Sequence, residues 1–271
     1  MRSDPPDIRP PWHLVCERLR VDRGGRAVLR EIELTLRDGE CLSLIGPNGS
    51  GKTTLMLAML GLLPPAAGRV AINDRPVRAL PAAARGRFAS YVPQTVERLP
   101  AFSVYEVVSM GRFPHGSPLR PLSPADREHI EDALRACGLS ELAARRVDTL
   151  SGGERQKTLI AAAVAQDAQV MFLDEPNTAL DPGYQAELVA LLRAWRRRGR
   201  ALVLISHDLQ LPAALGGRVV AICEGRVVAD GRAEEVITPS ALERIYQAAF
   251  ALATTADGRE IIVPDWWRRG V

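Results

Sequence analysis

Cysteine is scarce in this sequence: Cys16, Cys41, Cys137 and Cys223 are the only four in 271 residues. No pair stands at metal-ligand spacing, and three lie in apolar or helical runs. Buried, reduced thiols are therefore expected, and neither a disulfide framework nor a cysteine metal site. Long apolar runs are also missing. The nearest, Thr53 to Gly68, is broken by Pro64-Pro65 and reads as a helix plus a turn, so the chain is not expected to span a membrane itself. Met1 to Pro11 is polar and Pro-rich with no apolar stretch, which reads as a disordered tail over 1–11 and not as a secretion signal. There is no internal repeat, low-complexity segment or sustained heptad. Charge of one sign is lacking too. Thirty-five Lys and Arg against 32 Asp and Glu leave +3, too small an excess to argue for nucleic acid, though a membrane-protein partner stays compatible. The Arg196-Arg197-Arg198 run reads as a solvated helix face.

What is present is an ordinary globular composition, 46% hydrophobic and 25% charged, in a length that suits one large domain or a domain with a subdomain. Leu14 to Asp22 reads as a strand, with a turn at Arg23-Gly24-Gly25. Ile32, Leu34 and Leu36 alternate with polar residues, the period of a half-buried, antiparallel strand. Cys41–Ile45, Gln169–Leu173 and Ala201–Ile205 are continuous apolar runs of strand length, separated by helical segments. That alternation indicates a mainly parallel α/β sheet. Arg69–Asn73 and Phe88–Val92 read as short strands. Between Gln94 and Thr149 the composition turns helical, with a capping box at Ser103-Val104-Tyr105-Glu106 and a helix opening at Ser123-Pro124 and ending near Gly138. Gly153–Ala168 and the stretch from Asp181-Pro182 to Gly199 are helical. Arg218–Asp230 reads as a hairpin turning at Glu224-Gly225. Short helical stretches follow, then Ile261–Val263 and an exposed-looking Trp266-Trp267.

The stretch Gly46-Pro47-Asn48-Gly49-Ser50-Gly51-Lys52-Thr53-Thr54 organises the rest. Gly46, Gly51, Lys52 and Thr53 match G-x-x-x-x-G-K-[ST] between a strand and a helix. Glycines let successive N–H groups turn inward around an anion, and the helix N-terminus adds about half a positive charge. Lys52 can reach the β- and γ-phosphates, and the Thr53 hydroxyl can ligate Mg²⁺. Asp174 and Glu175 follow an apolar strand. Asp174 suits the metal side, and Glu175 is the candidate general base for a water. His207 ends the next strand and could hold the γ-phosphate and water in line. Gln94, behind a strand and Pro93, could ligate Mg²⁺ or position the water.

A second glycine-rich helix start stands at Leu150-Ser151-Gly152-Gly153-Glu154-Arg155-Gln156. It is another anion-binding N-terminus, but without a lysine. Such a site makes sense if it completes the phosphate site of another copy. With this stretch the chain resembles, over nearly its whole length, an ABC-transporter ATPase subunit. Gly46–Thr54 resembles Walker A, Gln94 the Q-loop, Leu150–Gln156 the signature, Val170–Glu175 Walker B, Ala179-Leu180-Asp181 the D-loop and His207 the H-loop. The resemblance implies a P-loop NTPase core with a mainly parallel sheet, an antiparallel N-terminal β part, and a helical subdomain insert over about 95–149. These lie within one ATPase domain, 12–271, whose 218–271 form a C-terminal hairpin and tail. It implies ATP and Mg²⁺, with the whole run from Gly46 through Pro47, Asn48, Gly49 and Ser50 to Thr54 around the nucleotide. It implies a head-to-tail dimer that sandwiches ATP between Walker A of one copy and Leu150, Ser151, Gly152, Gly153, Glu154 and Gln156 of the other. It implies Glu175 as base and Asp174 and Thr53 on the metal, with Lys52, Gln94 and His207 near the γ-phosphate. It further implies two integral membrane permease subunits, an extracytoplasmic binding protein reached through them, and a place on the cytoplasmic face of the membrane.

Val107 to His115, with its Gly111-Arg112-Phe113-Pro114-His115 run, and the tail Asp257–Pro264 are similar to importers of iron–siderophore, heme and vitamin B12. Zinc and manganese importers carry related runs, and the bland reading of Val107–Pro114 is a subdomain helix end. One departure stands at Arg23, where the family commonly has an aromatic residue that stacks on adenine; a guanidinium can also stack on a base. Two other readings compete. An ABC ATPase of translation or DNA repair typically carries two nucleotide domains or a long coiled coil. A monomeric P-loop kinase or GTPase leaves Leu150–Gln156 unexplained.

Overall fold

The structure, a computed structural model, describes residues 8–94, 101–116, 121–178 and 180–265. The chain divides into two compact units. One comprises His13–Leu36, Glu40–Pro76 and Val203–Val271; the other comprises Val77–Leu202 with Met1–Trp12 and Arg37–Gly39.

The first unit opens with strands β1 (His13–Arg23), β2 (Arg26–Arg37) and β3 (Cys41–Ile45), then helix α1 (Lys52–Met59) and strands β4 (Ala67–Ile72) and β5 (Arg75–Pro76). β2-β1-β4-β5 is the order of a four-stranded sheet, with antiparallel β1–β4 and β4–β5 pairings. The period-two reading of β2 holds: Ile32, Leu34 and Leu36 are buried. A bulge between Glu17 and Arg20 shifts the β1–β4 register, so Leu14 and Cys16 before it and Leu19 and Val21 after it all point inward.

The second unit carries α2 (Ala82–Phe88), β6 (Ala89–Val92), α3 (Val104–Met110), α4 (Pro124–Ala136), α5 (Gly152–Ala165), β7 (Val170–Asp174) and α6 (Pro182–Arg197). β6 and β7 pair in parallel from Ala89↔Val170 to Val92↔Leu173. The helical composition after Gln94 becomes α3 and α4, which pack on each other and on α5. Ser103 and Ser123 both close capping boxes. The Gly111–His115 run is a packing device. A Cβ on Gly111 would lie 2.3 Å from the Ala162 carbonyl oxygen of α5, so the helices approach closely only because a glycine stands there. The buried Arg112 donates from Nε to Asp126 at 3.0 Å and from Nη1 to the Ala165 carbonyl at 2.7 Å. The His115 ring meets the Gln166 carbonyl.

Strand β8 (Ala201–Ile205) contains the boundary between the units and is buried throughout. The chain then continues in the first unit with α7 (Gln210–Leu215), β9 (Arg218–Cys223), β10 (Arg226–Arg232), α8 (Ala233–Val236), α9 (Pro239–Tyr246) and the hairpin β11 (Phe250–Thr254) and β12 (Glu260–Pro264). β9 runs parallel to β3, from Leu42↔Arg218 to Ile45↔Ala221, and antiparallel to β10. Glu224 and Gly225 both have positive φ, 48° and 75°, as a tight two-residue hairpin requires. β11 and β12 pair antiparallel, so the tail, expected to hold short helical stretches before Ile261–Val263, also carries a two-stranded hairpin.

All four cysteines are free thiols; Cys16, Cys41 and Cys137 are buried and Cys223 half-buried. Burial, with a smaller push from Glu33, raises the Cys16 thiol to about 12. No helix of the described residues is long and apolar enough to cross a membrane. Residues 1–7 of the expected tail, Ala179, and Trp266-Trp267 lie outside the described residues.

Candidate nucleotide site

The phosphate loop begins where the all-buried strand β3 ends. Gly46 has φ 135° and sits against β9: a Cβ there would lie 2.0 Å from the Ile222 carbonyl oxygen. No side chain fits this position, which is why the loop must open on glycine. Its N–H donates to the Tyr246 hydroxyl at 3.0 Å. The crest of the loop faces outward: Pro47 is half-buried, and Asn48 and Gly49 are exposed. Of the expected ATP contacts in this stretch, Asn48 and Thr53 keep exposed side chains, Asn48 at the crest, whereas Ser50, Lys52 and Thr54 are buried at the base. A loop that bends its N–H groups inward turns its intervening side chains out, so Asn48 can serve the anion through its backbone alone. Lys52 donates its ammonium to the Gly46 and Pro47 carbonyls at 2.7 and 2.9 Å. A buried ammonium needs such partners, and the two carbonyls hold it at the mouth of α1. That helix has Gly51 at its N-cap with φ 108°, no side-chain cap and no acidic residue in its first turn. Its own first turn thus sets no carboxylate against the N–H dipoles, as suits an anion-binding terminus. Ser50 Oγ is buried without a hydrogen-bond partner among the described residues. Thr53 is exposed. The loop fits a polyphosphate: an uncapped helix terminus, a held lysine, and a hydroxyl on the first turn.

In the same unit, His207 is exposed just beyond β8, and Arg23 is exposed at the end of β1 before the Gly24-Gly25 turn. The structure leaves Arg23 in the place where adenine stacking was considered and adds no aromatic at that turn.

In the second unit, β7 ends in the buried Asp174. Burial and then the Asp174 charge push the neighbouring Tyr91 hydroxyl up to about 12. Oxygen donors such as Asp174 and Thr53 are of the type Mg²⁺ takes. Glu175 is half-buried and has φ 50°. A non-glycine residue held left-handed costs about 1–3 kcal/mol, and such strain gathers at functional positions. Gln94 and Glu175, 81 positions apart, are brought together: Gln94 Nε2 donates to Glu175 Oε2 at 2.7 Å. Thr178 Oγ1 donates to the Glu175 carbonyl. Asp181 accepts the Tyr184 N–H as the N-cap of α6.

The signature stretch forms the start of α5, and there the structure adds a capping box that the sequence reading passed over. Ser151 is the N-cap, accepting the Glu154 N–H at 3.2 Å, while Glu154 Oε2 accepts the Ser151 N–H at 2.8 Å. The S-x-x-E spacing was the available signal. Hydrogen bonds from Ser151 hold the Glu154 carboxyl below the usual range. Ser151 and Gly152 are exposed, Gly153 is half-buried, and Leu150 and Gln156 are buried. Gln156 therefore points its amide inward, and Nε2 lacks a hydrogen-bond partner among the described residues.

This combination defines a P-loop ATPase of the cassette type. The ABC transporter family model matches residues 29–178. Over 242 residues the chain is 35% identical to the iron(3+)-hydroxamate import ATP-binding protein FhuC of Bacillus subtilis (strain 168), covering 89% of this chain and 90% of that protein. It is 39% identical to the hemin import ATP-binding protein HmuV of Bordetella avium (strain 197N), covering 86% of this chain and 91% of that protein. Among solved structures, the chain resembles one from a transporter described as metal-chelate type, in an inward-facing conformation. The TM-score is 0.80 at 25% identity, over 95% of this chain and 98% of the other. The chain belongs to the ABC transporter ATP-binding subunits, ATPases coupled to transport.

Proposed function

We propose that this chain powers uptake of an iron–siderophore or a similar metal chelate, heme or cobalamin, through membrane permease subunits. The observation that carries the ATPase half is Lys52, held by two loop carbonyls at an uncapped helix N-terminus. The import half rests on the iron-hydroxamate and hemin relatives. In this reading Lys52 exchanges its carbonyl partners for the phosphates of ATP, beside the N–H groups of Asn48–Thr54. Thr53 and Asp174 hold Mg²⁺, which when bound neutralises phosphate charge. Glu175, oriented by the Gln94 amide, takes the proton of the attacking water. The water oxygen bonds to the γ-phosphorus as the bond to the bridging oxygen breaks, releasing ADP and phosphate. His207 keeps the γ-phosphate in line, and Arg23 stacks on the adenine.

Gly152 and Gly153 at the start of α5 serve the ATP of a second copy, so the working unit is a head-to-tail dimer. Asp181 belongs to the same junction. The subdomain that carries α3 and α4, where Phe102 and Phe113 are 38% and 49% exposed, meets the permease on the cytoplasmic face of the membrane. An extracytoplasmic binding protein delivers the cargo. Reconstituting the chain with its permease in vesicles tests this directly. ATP-driven uptake of an iron–hydroxamate, heme or cobalamin is the expected result. Uptake restricted to free Zn²⁺ or Mn²⁺ would sink the chelate assignment, and co-purification with ribosomes or DNA would sink transport.

A further inference from the structure

The C-terminal segment has no part in the nucleotide chemistry above, yet it grips the elements that carry it. α8, α9 and the β11–β12 hairpin bury Val236, Leu242, Ile245, Phe250 and Ile262 in one cluster with Ile45 and Leu209. Ile45 immediately precedes Gly46, and Leu209 stands two residues after His207. Two polar contacts run from the same segment. The Tyr246 hydroxyl, at the end of α9, accepts the Gly46 N–H at 3.0 Å. The Ile262 carbonyl accepts Gln210 Nε2 from the helix that follows His207.

The Gly46 backbone is thereby held on both sides, its N–H by Tyr246 and its carbonyl by the Lys52 ammonium at 2.7 Å. Gly46 is buried and has no side chain to steady it. The Tyr246 ring is itself fixed, tilted against Phe250 with centroids 5.8 Å apart. We propose that Tyr246 is a positioning residue for the phosphate loop: its hydroxyl fixes the N–H of Gly46, the residue whose carbonyl moors the Lys52 ammonium, so the C-terminal segment braces the loop. This rests on the ATPase reading above.

Replacing the hydroxyl by hydrogen leaves the buried Gly46 N–H unsatisfied and lets the peptide turn away, at the cost of about one hydrogen bond. The contact lies at the base of the loop and away from the reacting atoms, so it sets affinity and spares the chemical step. In Tyr246→Phe the Kd and KM for ATP rise about three- to tenfold with kcat within about twofold. Leu242→Ala, which loosens the same helix without touching the hydroxyl, lowers the Tm but keeps the ATP Kd within about twofold where the protein is folded. Wild-type ATP binding is the common control. With it intact, an unchanged Kd in Tyr246→Phe overturns the brace and leaves the ATPase reading standing. So does a Kd that worsens in both variants in step with lost Tm, which marks a purely structural role. Absence of wild-type ATP binding overturns both.

Discussion

Two helices in this chain begin at glycine-rich loops, and they begin in opposite ways. α1 starts on Gly51 with no side-chain cap and no acid in its first turn, and a lysine ammonium is moored at its mouth. α5 starts on Ser151, closed by a reciprocal box with Glu154. A cap is worth about 1 kcal/mol, so α1 forgoes stability that α5 keeps. The difference follows from what each terminus awaits. α1 carries its own cation and a loop of backbone donors, enough to hold polyphosphate within one chain. α5 has no lysine in its opening stretch and keeps a carboxylate there, so it is poorly suited to gather phosphate unaided. It suits a surface that closes over a nucleotide another copy already holds.

The sharpest way to break this comparison is to damage each terminus in turn. Lys52→Ala should weaken ATP binding by the isolated chain at least about 100-fold in titration, since it removes the one cation of the loop. Gly152→Asp should leave that binding within about twofold yet cut steady-state phosphate release at least about 100-fold, by putting a carboxylate where phosphate must approach. Equal effects of the two variants on single-chain binding would erase the distinction. Ser151→Ala should cost about 1 kcal/mol in urea denaturation without altering ATP binding by the isolated chain; an unchanged urea midpoint would mean that the box does not stabilise α5. The smallest effect expected is at the adenine. Arg23→Ala should raise the KM for ATP about two- to tenfold with kcat spared, and an unchanged KM would remove the stacking role.

Much of this was legible in the sequence because the signals are local. All-buried strands such as Cys41–Ile45 and Ala201–Ile205 advertise themselves as apolar runs, and the boxes at Ser103 and the Asp181-Pro182 start are fixed by neighbours in sequence. α2 was hidden because Gly86 interrupts a short Ala-rich turn, so Phe88 was read as the start of a strand when it ends the helix. α7 was hidden by Pro212. β11 was read as part of a helical tail, since the Ala and Leu of Phe250–Thr254 suit either state until β12 pairs with it. The candidate site was legible as a set of residues. Within the phosphate loop the set did not sort itself: nothing in the spacing separated the exposed Asn48 from the buried Ser50 and Lys52. Longer-range relations were hidden too, because the Gln94–Glu175 and Gly46–Tyr246 hydrogen bonds join residues 81 and 200 positions apart. The Gly111–His115 run was legible as a motif, but its packing against α5 emerges only in three dimensions.

Mixing the two damaged chains tests most directly whether the two termini are halves of one site supplied by two copies. In a head-to-tail pair of Lys52→Ala with Gly152→Asp, both defects fall in one site and the other site is intact. Random pairing of equal amounts makes half the dimers mixed, so phosphate release should recover to about a quarter of wild type at most, although each variant alone is inactive. A mixture no more active than its components would contradict the account and place the whole site within a single chain.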